Sequence, residues 1–380
     1  MESTVQQYVQ AHKEELYELL KTLCAIPAPS HHEEKRAAFC KEWLEAAGAA
    51  GVYIDEAKNT VFPLGCTDSR EITAIFAHTD TVFPDTEPMP FEDRKETLHC
   101  PGIGDDTANL VMLLLTAKFM LEQKITPKGG ILFVCNSCEE GLGNLKGVRQ
   151  IFRDYAGRIK QFVSFDGFYC DLADRCVGSH RYEIEATTAG GHSYGDFGNE
   201  NAIRVLASIV EAIYKIQVPK IGNSKTTYNV GSIEGGTSVN TIAQSAKMLC
   251  EYRSDNEDCL AQMETSFAKI FADAQSERAC VKVTRIGERP CMGKVDLKKI
   301  EQMASVIEEL AGKITHVPVN RVSMSTDCNV PLSLGIPAVC IGLYAGGGMH
   351  TREEWLSKAS LAPGLEFGIR ITLALTEKQN

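Results

Sequence analysis

The sequence predicts an α/β protein in which a smaller α/β domain is inserted into a larger domain built on a doubly wound mixed sheet. Four short runs are apolar throughout and rich in Ile, Val and Phe, at residues 72–77, 131–135, 162–165 and 338–343. Such runs are typical of strands buried on both faces of a parallel sheet. Between residues 177 and 293 polar and apolar residues alternate instead, which predicts strands with one face in water.

Helical patterns lie among the apolar runs. Apolar residues recur at helical spacing through residues 14–50 on both sides of a proline-containing break at residues 26–30, so two helices are predicted there. Further helices are predicted within residues 110–121 and 301–311. Because buried strands and helices alternate, this part of the chain is expected to form a doubly wound domain.

The alternating region has its own order of elements. We expect strand 181–188, helix 201–216, strand 226–232, strand 246–253, helix 257–275 and strand 280–286. This βαββαβ order is that of the split ferredoxin-like arrangement. We therefore assign residues 177–293 to an inserted lid domain, and residues 1–176 and 294–380 to the larger, catalytic domain.

Composition narrows the classes of function. The chain has 380 residues, 44% of them hydrophobic, and a net charge of −11 without a basic run, which argues against nucleic acid as a partner. No apolar stretch approaches the roughly 20 residues of a membrane span, and the polar start lacks a signal peptide core. Fourteen scattered cysteines indicate reduced thiols. We expect a cytoplasmic protein, without a membrane partner, that acts on a small molecule or peptide.

Residues able to bind metal or move protons follow each of the four apolar runs. Ligand sites in open α/β sheets lie beyond the carboxyl ends of the strands, so these side chains should meet at one edge. The residues concerned are His78 and Asp80 after the first run, Glu139 and Glu140 after the second, Asp166 after the third and His350 after the fourth, with Asp105 and Asp106 before the buried helix.

The composition of this cluster predicts two metal ions. A single Asp or Glu is most often a helix cap or a solvated surface residue. Several carboxylates gathered beside two imidazoles repel one another unless cations neutralise them. Nitrogen and carboxylate ligands suit Zn²⁺, Co²⁺ or Mn²⁺, and a carboxylate between two metals is a common hydrolytic arrangement. A neighbouring, unligated Glu could then deprotonate water.

In combination, these motifs resemble those of the M20 metallopeptidase family, which includes tripeptidase T, carboxypeptidase G, acetylornithine deacetylase and aminoacylase. The His-x-Asp-Thr-Val element at residues 78–82, the Gly-x-x-Asp element ending at Asp105, the Glu139–Glu140 pair, the later Asp and the final His occur in the family's order. The likeness covers nearly the whole chain and implies a zinc-exopeptidase-like fold with two divalent metals, Zn²⁺ above all.

The resemblance also implies a set of metal ligands. His78 would bind one metal and His350 the other, with Asp105 bridging the two. Glu140 would complete the shell of the metal at His78, and Asp166 that of the metal at His350.

Further roles follow from the resemblance. Asp80 would orient His78 from behind, and Glu139 would be the general base. In the lid, His192 would stabilise the oxyanion, in the same chain or across a homodimer formed through the lid. Asn240 and Arg253 would receive the substrate's carboxylate.

The predicted activity is that of a metal-dependent exopeptidase that cleaves small peptides. The lid run Gly191–Gly198 resembles the tripeptidase T-like branch in particular. The alternative is an N-acyl-amino-acid deacylase of the same mechanism, since the substrate pocket decides between the two activities.

Two hypotheses from other classes are weaker. Residues 191–195 match Gly-x-Ser-x-Gly, and Asp327 and His350 follow in the order of a serine hydrolase triad, but Ser193 precedes a Gly-, Asp- and Asn-rich loop and not a helix. A non-catalytic peptide-binding protein would be expected to lack the base or a ligand, whereas every position is occupied. The Cys135-x-x-Cys138 pair is interpreted as structural.

Overall fold

The computed structural model describes residues 2–127 and 129–376, the side chain of Glu2 excepted. The chain divides into two compact units. The first comprises the described residues up to Cys176 and those from Lys294 onward, and the second comprises Val177–Gly293. Within the described ranges, no helix is both long enough and apolar enough to cross a membrane.

The helices and strands alternate along the chain. The helices are α1 (Glu2–Ala11), α2 (Lys13–Cys24), α3 (Glu34–Ala46), α4 (Asn109–Glu122), α5 (Lys146–Asp154), α6 (Ala202–Ile213), α7 (Glu257–Asp273), α8 (Leu297–Ile314), α9 (Asn329–Ser333) and α10 (Lys358–Thr376). The strands are β1 (Tyr53–Ile54), β2 (Thr60–Leu64), β3 (Ile72–His78), β4 (Glu92–Asp93), β5 (Thr97–His99), β6 (Ile131–Asn136), β7 (Ile159–Ser164), β8 (Asp171–Cys176), β9 (Gly178–Thr188), β10 (Gly191–His192), β11 (Thr226–Gly235), β12 (Thr241–Ile242), β13 (Ser245–Ser254), β14 (Ala279–Arg289), β15 (Asn320–Met324), β16 (Ala338–Ile341), β17 (Gly346–Gly347) and β18 (Trp355–Ser357).

The first unit is built on an eight-stranded sheet of order β1-β2-β6-β3-β7-β16-β8-β15. Its centre, β6-β3-β7-β16, consists of the four predicted apolar runs, and all three pairings there are parallel. Towards one edge β2 and β1 pair antiparallel, and towards the other β8 runs antiparallel to β16. The sheet is therefore mixed, which confirms the predicted fold class of this unit.

Helix α4 occupies the interior of the first unit. Its residues from Asn109 to Ala117 are all buried, so it has no polar face. A helix that is apolar all round must be covered on every side. Strands β3 and β6 contact one side of α4, and helices α2, α3 and α10 contact the rest.

A small second sheet of the first unit was not predicted. Its order is β17-β18-β5-β4, and its strands are two or three residues long. Strands β17 and β18 pair antiparallel, and the loop between them carries His350. Because β18 also pairs with β5, this loop is tied to the segment that leads to Asp105.

The second unit has the predicted βαββαβ order. Its sheet, β11-β13-β9-β14, is antiparallel throughout, and helices α6 and α7 share a buried core with it. The chain enters this unit at β9 and leaves it after β14, where Ser179 pairs with Arg289. Strand β11 forms one edge of the sheet, and its residues are exposed or only half-buried.

Candidate metal centre

Five residues expected to bind metal lie together at the carboxyl edge of the parallel strands. His78 ends β3, and Asp166 comes two residues after β7. Glu140 lies four residues beyond β6, and Asp105 lies in a tight turn that leads into α4. All four are buried, while the His350 side chain is 54% exposed, so the cluster opens to solvent on the side of His350.

Asp105 lies between the two imidazoles. Its Oδ1 is 3.0 Å from His78 Nε2, and its Oδ2 is 2.9 Å from His350 Nε2. One carboxylate that directs one oxygen to each histidine has the geometry required of a ligand that bridges two metals. Burial raises the Asp105 pKa, but the two imidazoles outweigh burial and lower it below its usual value.

The remaining carboxylates lie near one or both of the histidines. The side-chain donor atoms of His78, Asp105, Asp106 and Asp166 lie within 4.8 Å of one another, as do those of Asp105, Glu140 and His350. His78 forms a third group of this kind with Glu139 and Glu140. Asp166 thus lies near His78, and Glu140 lies near both histidines. Strand order agrees with this, since β6 and β7, which precede Glu140 and Asp166, flank β3 on its two sides.

The electrostatics of the cluster show an excess of negative charge. Burial and the Asp105 charge raise the pKa of Glu140 to about 8 and that of Asp166 to about 7. The nearby Asp105 and Glu140 carboxylates raise the pKa of His350 to about 10. Burial lowers the His78 pKa, but Asp106 and Asp105 outweigh it and raise the pKa well above its usual range. The cluster therefore favours added positive charge, whether from protons or from cations.

These residues fit a pair of divalent ions. The donors are imidazole nitrogens and carboxylate oxygens, a set that Zn²⁺, Co²⁺ and Mn²⁺ accept. Glu140 Oε1 is buried and accepts no hydrogen bond, although His350 Nε2 lies 3.2 Å away. Buried polar atoms are rarely left without a partner, so an ion between Asp105, Glu140 and His350 would satisfy this oxygen.

Asp80 contacts Glu139 and Glu140 as well as His78. Its carboxylate accepts hydrogen bonds from the N–H groups of Glu139 and Glu140, at 3.0 Å each, and from Ser30 Oγ at 2.6 Å. His78 Nδ1 lies 3.0 Å from the main-chain oxygen of Asp80 and 3.5 Å from its Oδ1. The Asp80 carboxylate therefore orients the Glu139–Glu140 turn more directly than it orients His78.

Two further residues organise the cluster from behind. Asp106 is fully buried, and its Oδ2 accepts the His78 N–H at 2.8 Å. Arg36 is also buried and donates to the Thr79 carbonyl at 3.0 Å and to Thr107 Oγ1 at 3.2 Å. The sequence places Asp106 beside Asp105 but carries no signal for Arg36, which lies on a helix 43 residues before Thr79.

In the second unit, His192 and Asn240 are brought together. Strands β10 and β12 pair His192 with Thr241, and the Ser193 N–H donates to the Asn240 carbonyl at 3.0 Å. The Tyr194 and Gly195 N–H groups each donate to His192 Nδ1 at 3.2 Å. Since Nδ1 accepts hydrogen bonds, the neutral ring carries its proton on Nε2 and can donate from there.

Arg253 lies apart from His192 and Asn240. Arg253 is the penultimate residue of β13, and Asn240 precedes the other end of the strand. Eight residue steps separate Ser245 from Arg253, which corresponds to about 26 Å. Glu251 accepts from Arg253 Nε at 2.7 Å and from Nη2 at 3.1 Å. Strand β13 therefore lies between the segment that carries Asn240 and the Arg253 side chain.

The two weaker sequence patterns find no support. Ser193 follows the two-residue strand β10, and the next helix begins only at Ala202, so the strand-to-helix turn of a nucleophile elbow is missing at this place. Cys135 and Cys138 are both free thiols. Cys138 Sγ contacts His31 and Glu33, whereas Cys135 interacts with Cys40, so the two thiols do not share a ligand.

Known proteins resemble the chain in sequence and in fold. The "Putative succinyl-diaminopimelate desuccinylase DapE" of Mycobacterium tuberculosis is 24% identical over 346 residues, covering 89% of this chain and 92% of that protein. A tripeptidase from Staphylococcus aureus superposes with a TM-score of 0.75 at 21% identity, covering 96% of this chain and 99% of the other. Aminopeptidase PepT from Bacillus cereus does so with a TM-score of 0.72 at 21% identity, covering 94% and 97%.

The family model of peptidase family M20/M25/M40 matches residues 74–374. This range contains all the expected ligands, the base and the whole second unit. The match confirms the family resemblance seen in the motifs. The chain therefore belongs to peptidase family M20/M25/M40 and is a metal-dependent hydrolase.

Proposed function

We propose that this protein is an exopeptidase that hydrolyses small peptides with two divalent metal ions and Glu139 as general base. The observation that carries the proposal is Asp105, whose two oxygens lie 3.0 and 2.9 Å from the two imidazoles. Peptide substrates are supported by the similar proteins, among which are a tripeptidase and an aminopeptidase.

The residues of the first unit have distinct tasks in this reaction. His78 and Asp166 would hold one ion, His350 and Glu140 the other, and Asp105 both. When bound, the ions lower the pKa of water between them and polarise the scissile carbonyl. Glu139 takes the proton of the attacking water and delivers it to the leaving amine. Asp80 fixes the direction of Glu139 through the 3.0 Å hydrogen bond to its N–H.

The second unit would supply substrate contacts. His192 donates from Nε2 to the developing oxyanion, and its tautomer suits this role because Nδ1 accepts two N–H groups. Arg253 or Asn240 receives the substrate's carboxylate. For Arg253 this requires sharing the guanidinium with Glu251, or displacing it.

We further propose a homodimer formed through the second unit. His192 and Asn240 lie together while Arg253 lies at the far end of β13, so both groups could serve one site only if different copies supply them. The edge strand β11 offers exposed main-chain groups and the half-exposed Ile233 to a second copy.

The native metal and compartment are also proposals. We propose Zn²⁺, because a site of histidine and carboxylate ligands suits it, with Co²⁺ or Mn²⁺ as substitutes. All fourteen cysteines are free thiols. Free thiols in this number are expected in a reducing compartment, which supports the cytoplasm.

The deacylase alternative keeps the mechanism and changes the substrate. It is supported by the mycobacterial relative, which is named as a desuccinylase. A mixture of dipeptides, tripeptides and N-acyl amino acids, incubated with Zn²⁺ or Co²⁺ or with a chelator and read by mass spectrometry, separates the two. Metal-dependent loss of terminal residues supports the exopeptidase. Acyl release with intact peptides supports the deacylase, and no product at all contradicts both.

Glu139→Gln tests the base. The variant keeps the shape of the side chain but cannot take a proton, so turnover should fall by roughly 10²–10⁴-fold. Metal content, measured by elemental analysis, should stay at the wild-type value because Glu139 is not expected to bind metal. Full turnover at unchanged metal content would exclude this role for Glu139.

A further inference from the structure

Glu354 is a buried carboxylate close to the metal centre that neither the motifs nor the mechanism above uses. It lies four residues after His350, just before β18, and is 2% exposed. A carboxylate removed from water needs strong hydrogen-bond partners. The hydrogen-bond partners of Glu354 indicate its role.

Both oxygens of Glu354 accept main-chain N–H groups from the segment that carries Asp105. Oε2 accepts from Gly102 at 2.7 Å, and Oε1 accepts from Gly104 at 2.9 Å and from Asp105 at 2.8 Å. Converging N–H groups of this kind form an anion-binding concavity. Here the side chain that occupies the concavity belongs to the same chain.

The segment is confined on its other sides as well. Gly102 has φ +74°, and a Cβ there would lie 2.7 Å from Thr81 Cγ2. A Cβ on Gly104 would lie 2.2 Å from the Tyr344 hydroxyl oxygen. The backbone therefore passes between Glu354 and these neighbours with little room to shift. Any displacement of this backbone would be transmitted to the Asp105 side chain.

We propose that Glu354 is a positioning residue that holds Asp105 where it can bridge the two metal ions. The proposal rests on the function proposed above. The hairpin formed by β17 and β18 thus contributes two residues. Its loop carries the expected ligand His350, and β18 begins directly after Glu354. Metal affinity and the bridging geometry then depend on a side chain that does not bind metal.

Two substitutions at Glu354 change its contacts with the Asp105 segment in different ways. In Glu354→Gln the remaining oxygen can still accept from Gly104 and Asp105, but the amide NH₂ faces the Gly102 N–H. In Glu354→Asp the charge remains, and the carboxylate is withdrawn by one methylene group. Glu353→Gln is the matched control, because Glu353 is the adjacent residue and is exposed.

The experiment titrates metal-free protein with Co²⁺ and records the visible absorption, which reports the coordination of the ion independently of turnover. Circular dichroism and thermal melting verify the fold of each variant, and kcat and KM are measured on the Co²⁺-loaded forms. We expect wild type and Glu353→Gln to bind two Co²⁺ alike. Both Glu354 variants should bind Co²⁺ about 10–100-fold more weakly, with an altered spectrum and a lowered kcat at nearly constant KM.

The outcomes distinguish this inference from the proposed function. Wild-type protein that binds no pair of Co²⁺ ions would overturn both. Wild-type binding together with unaltered affinity and spectrum in both Glu354 variants would overturn the inference alone. Normal Co²⁺ binding in Glu354→Asp would show that withdrawing the carboxylate does not disturb Asp105, and variants that do not fold would make Glu354 a folding residue, so either result would also overturn it.

Discussion

At the scale of a single residue, Asp80 contacts three other residues of the candidate site, namely His78, Glu139 and Glu140. Its carboxylate binds the N–H groups of Glu139 and Glu140, and its main-chain oxygen lies 3.0 Å from His78 Nδ1. The family resemblance implied that Asp80 orients His78, as carboxylates behind ligating imidazoles commonly do. It did not predict the contacts with Glu139 and Glu140, since these join residues about 60 positions apart through a turn.

Asp80→Asn should lower kcat about 10–100-fold while the protein stays folded. The Asn amide directs an NH₂ group at one of the two N–H donors, so the Glu139–Glu140 turn loses a hydrogen bond and shifts. Ser30→Ala is the milder companion, because it leaves both main-chain bonds to Asp80 in place and removes the Ser30 Oγ bonds to Asp80 Oδ2 at 2.6 Å and to the Glu140 carbonyl at 3.4 Å. Steady-state kinetics on the identified substrate measure both variants. An Asp80→Asn enzyme with wild-type kcat would contradict this role.

The metal-free protein should lose stability as the pH rises from about 4.5 to about 8. Folding raises the pKa of Glu140 from 4.5 to about 8 and that of Asp166 from 3.8 to about 7, through burial and the Asp105 charge. A raised pKa stabilises the fold below the unfolded value and ceases to do so above the folded value. The pKa of His350, which is raised to about 10, also makes stability fall as the pH rises. The lowered pKa of Asp105 acts below this range.

Thermal melting with and without Zn²⁺ measures this effect. The increase in Tm on adding the metal should be larger near pH 8 than near pH 6, because protons compete with the ions at the lower pH. His78→Ala, which removes a ligand, should show a much smaller increase at both values. A metal-induced increase that is greatest at the acidic end would contradict the prediction.

At the scale of elements, the apolar strands could be predicted and the short strands could not. Strands β3, β6 and β16 and the second half of β7 are buried on both faces, so these stretches carry a nearly continuous apolar signal. Strands β17 and β18 have two and three residues, too few for any periodicity, and tertiary contacts alone define them. The assignment of Glu140 and Asp166 to one metal or the other could not be predicted for a related reason. Sequence order shows which residues reach the edge of the sheet but not how the loops cross there.

The edge strand β11 should mediate the proposed dimer. Ile233→Glu places a charge on this strand at a side chain that is 49% exposed, so a dimer formed there should dissociate. Val283→Glu is the control, since Val283 is also exposed but lies on β14 at the opposite edge of the same sheet. Analytical ultracentrifugation of wild type and both variants gives the answer. A dimer that Val283→Glu disrupts and Ile233→Glu leaves intact would place the interface elsewhere.

At the scale of the whole molecule, the second unit has the properties of an independent domain. It has its own buried core, formed by residues of the sheet and of α6 and α7, and its first and last strands are adjacent in the sheet. The change from continuous to alternating apolar residues made this unit visible in the sequence. The order of strands in the larger sheet was not visible, because β16 and β15 return to it after 117 residues of another unit.

Residues 177–293 should therefore fold when expressed alone. We expect cooperative thermal unfolding and a circular dichroism spectrum of mixed helix and strand, because domains with one continuous core fold as units. Residues 294–380, which contain β15, β16 and α10 without the strands they pair with, are the contrasting fragment and should remain unfolded. A non-cooperative melt of the first fragment would show that its core depends on the rest of the chain.

The position of β16 has a consequence for synthesis on the ribosome. Strands β7 and β8 are neighbours in sequence, yet β16 lies between them in the sheet. A nascent chain that ends before residue 338 lacks the strand that joins β7 to β8, although residues 177–293 have already been synthesised. The sheet is completed only when β16 has been synthesised, and His350 follows nine residues after β16. The hydrolase can become active only after its largest sheet is whole, so incomplete chains should be inactive.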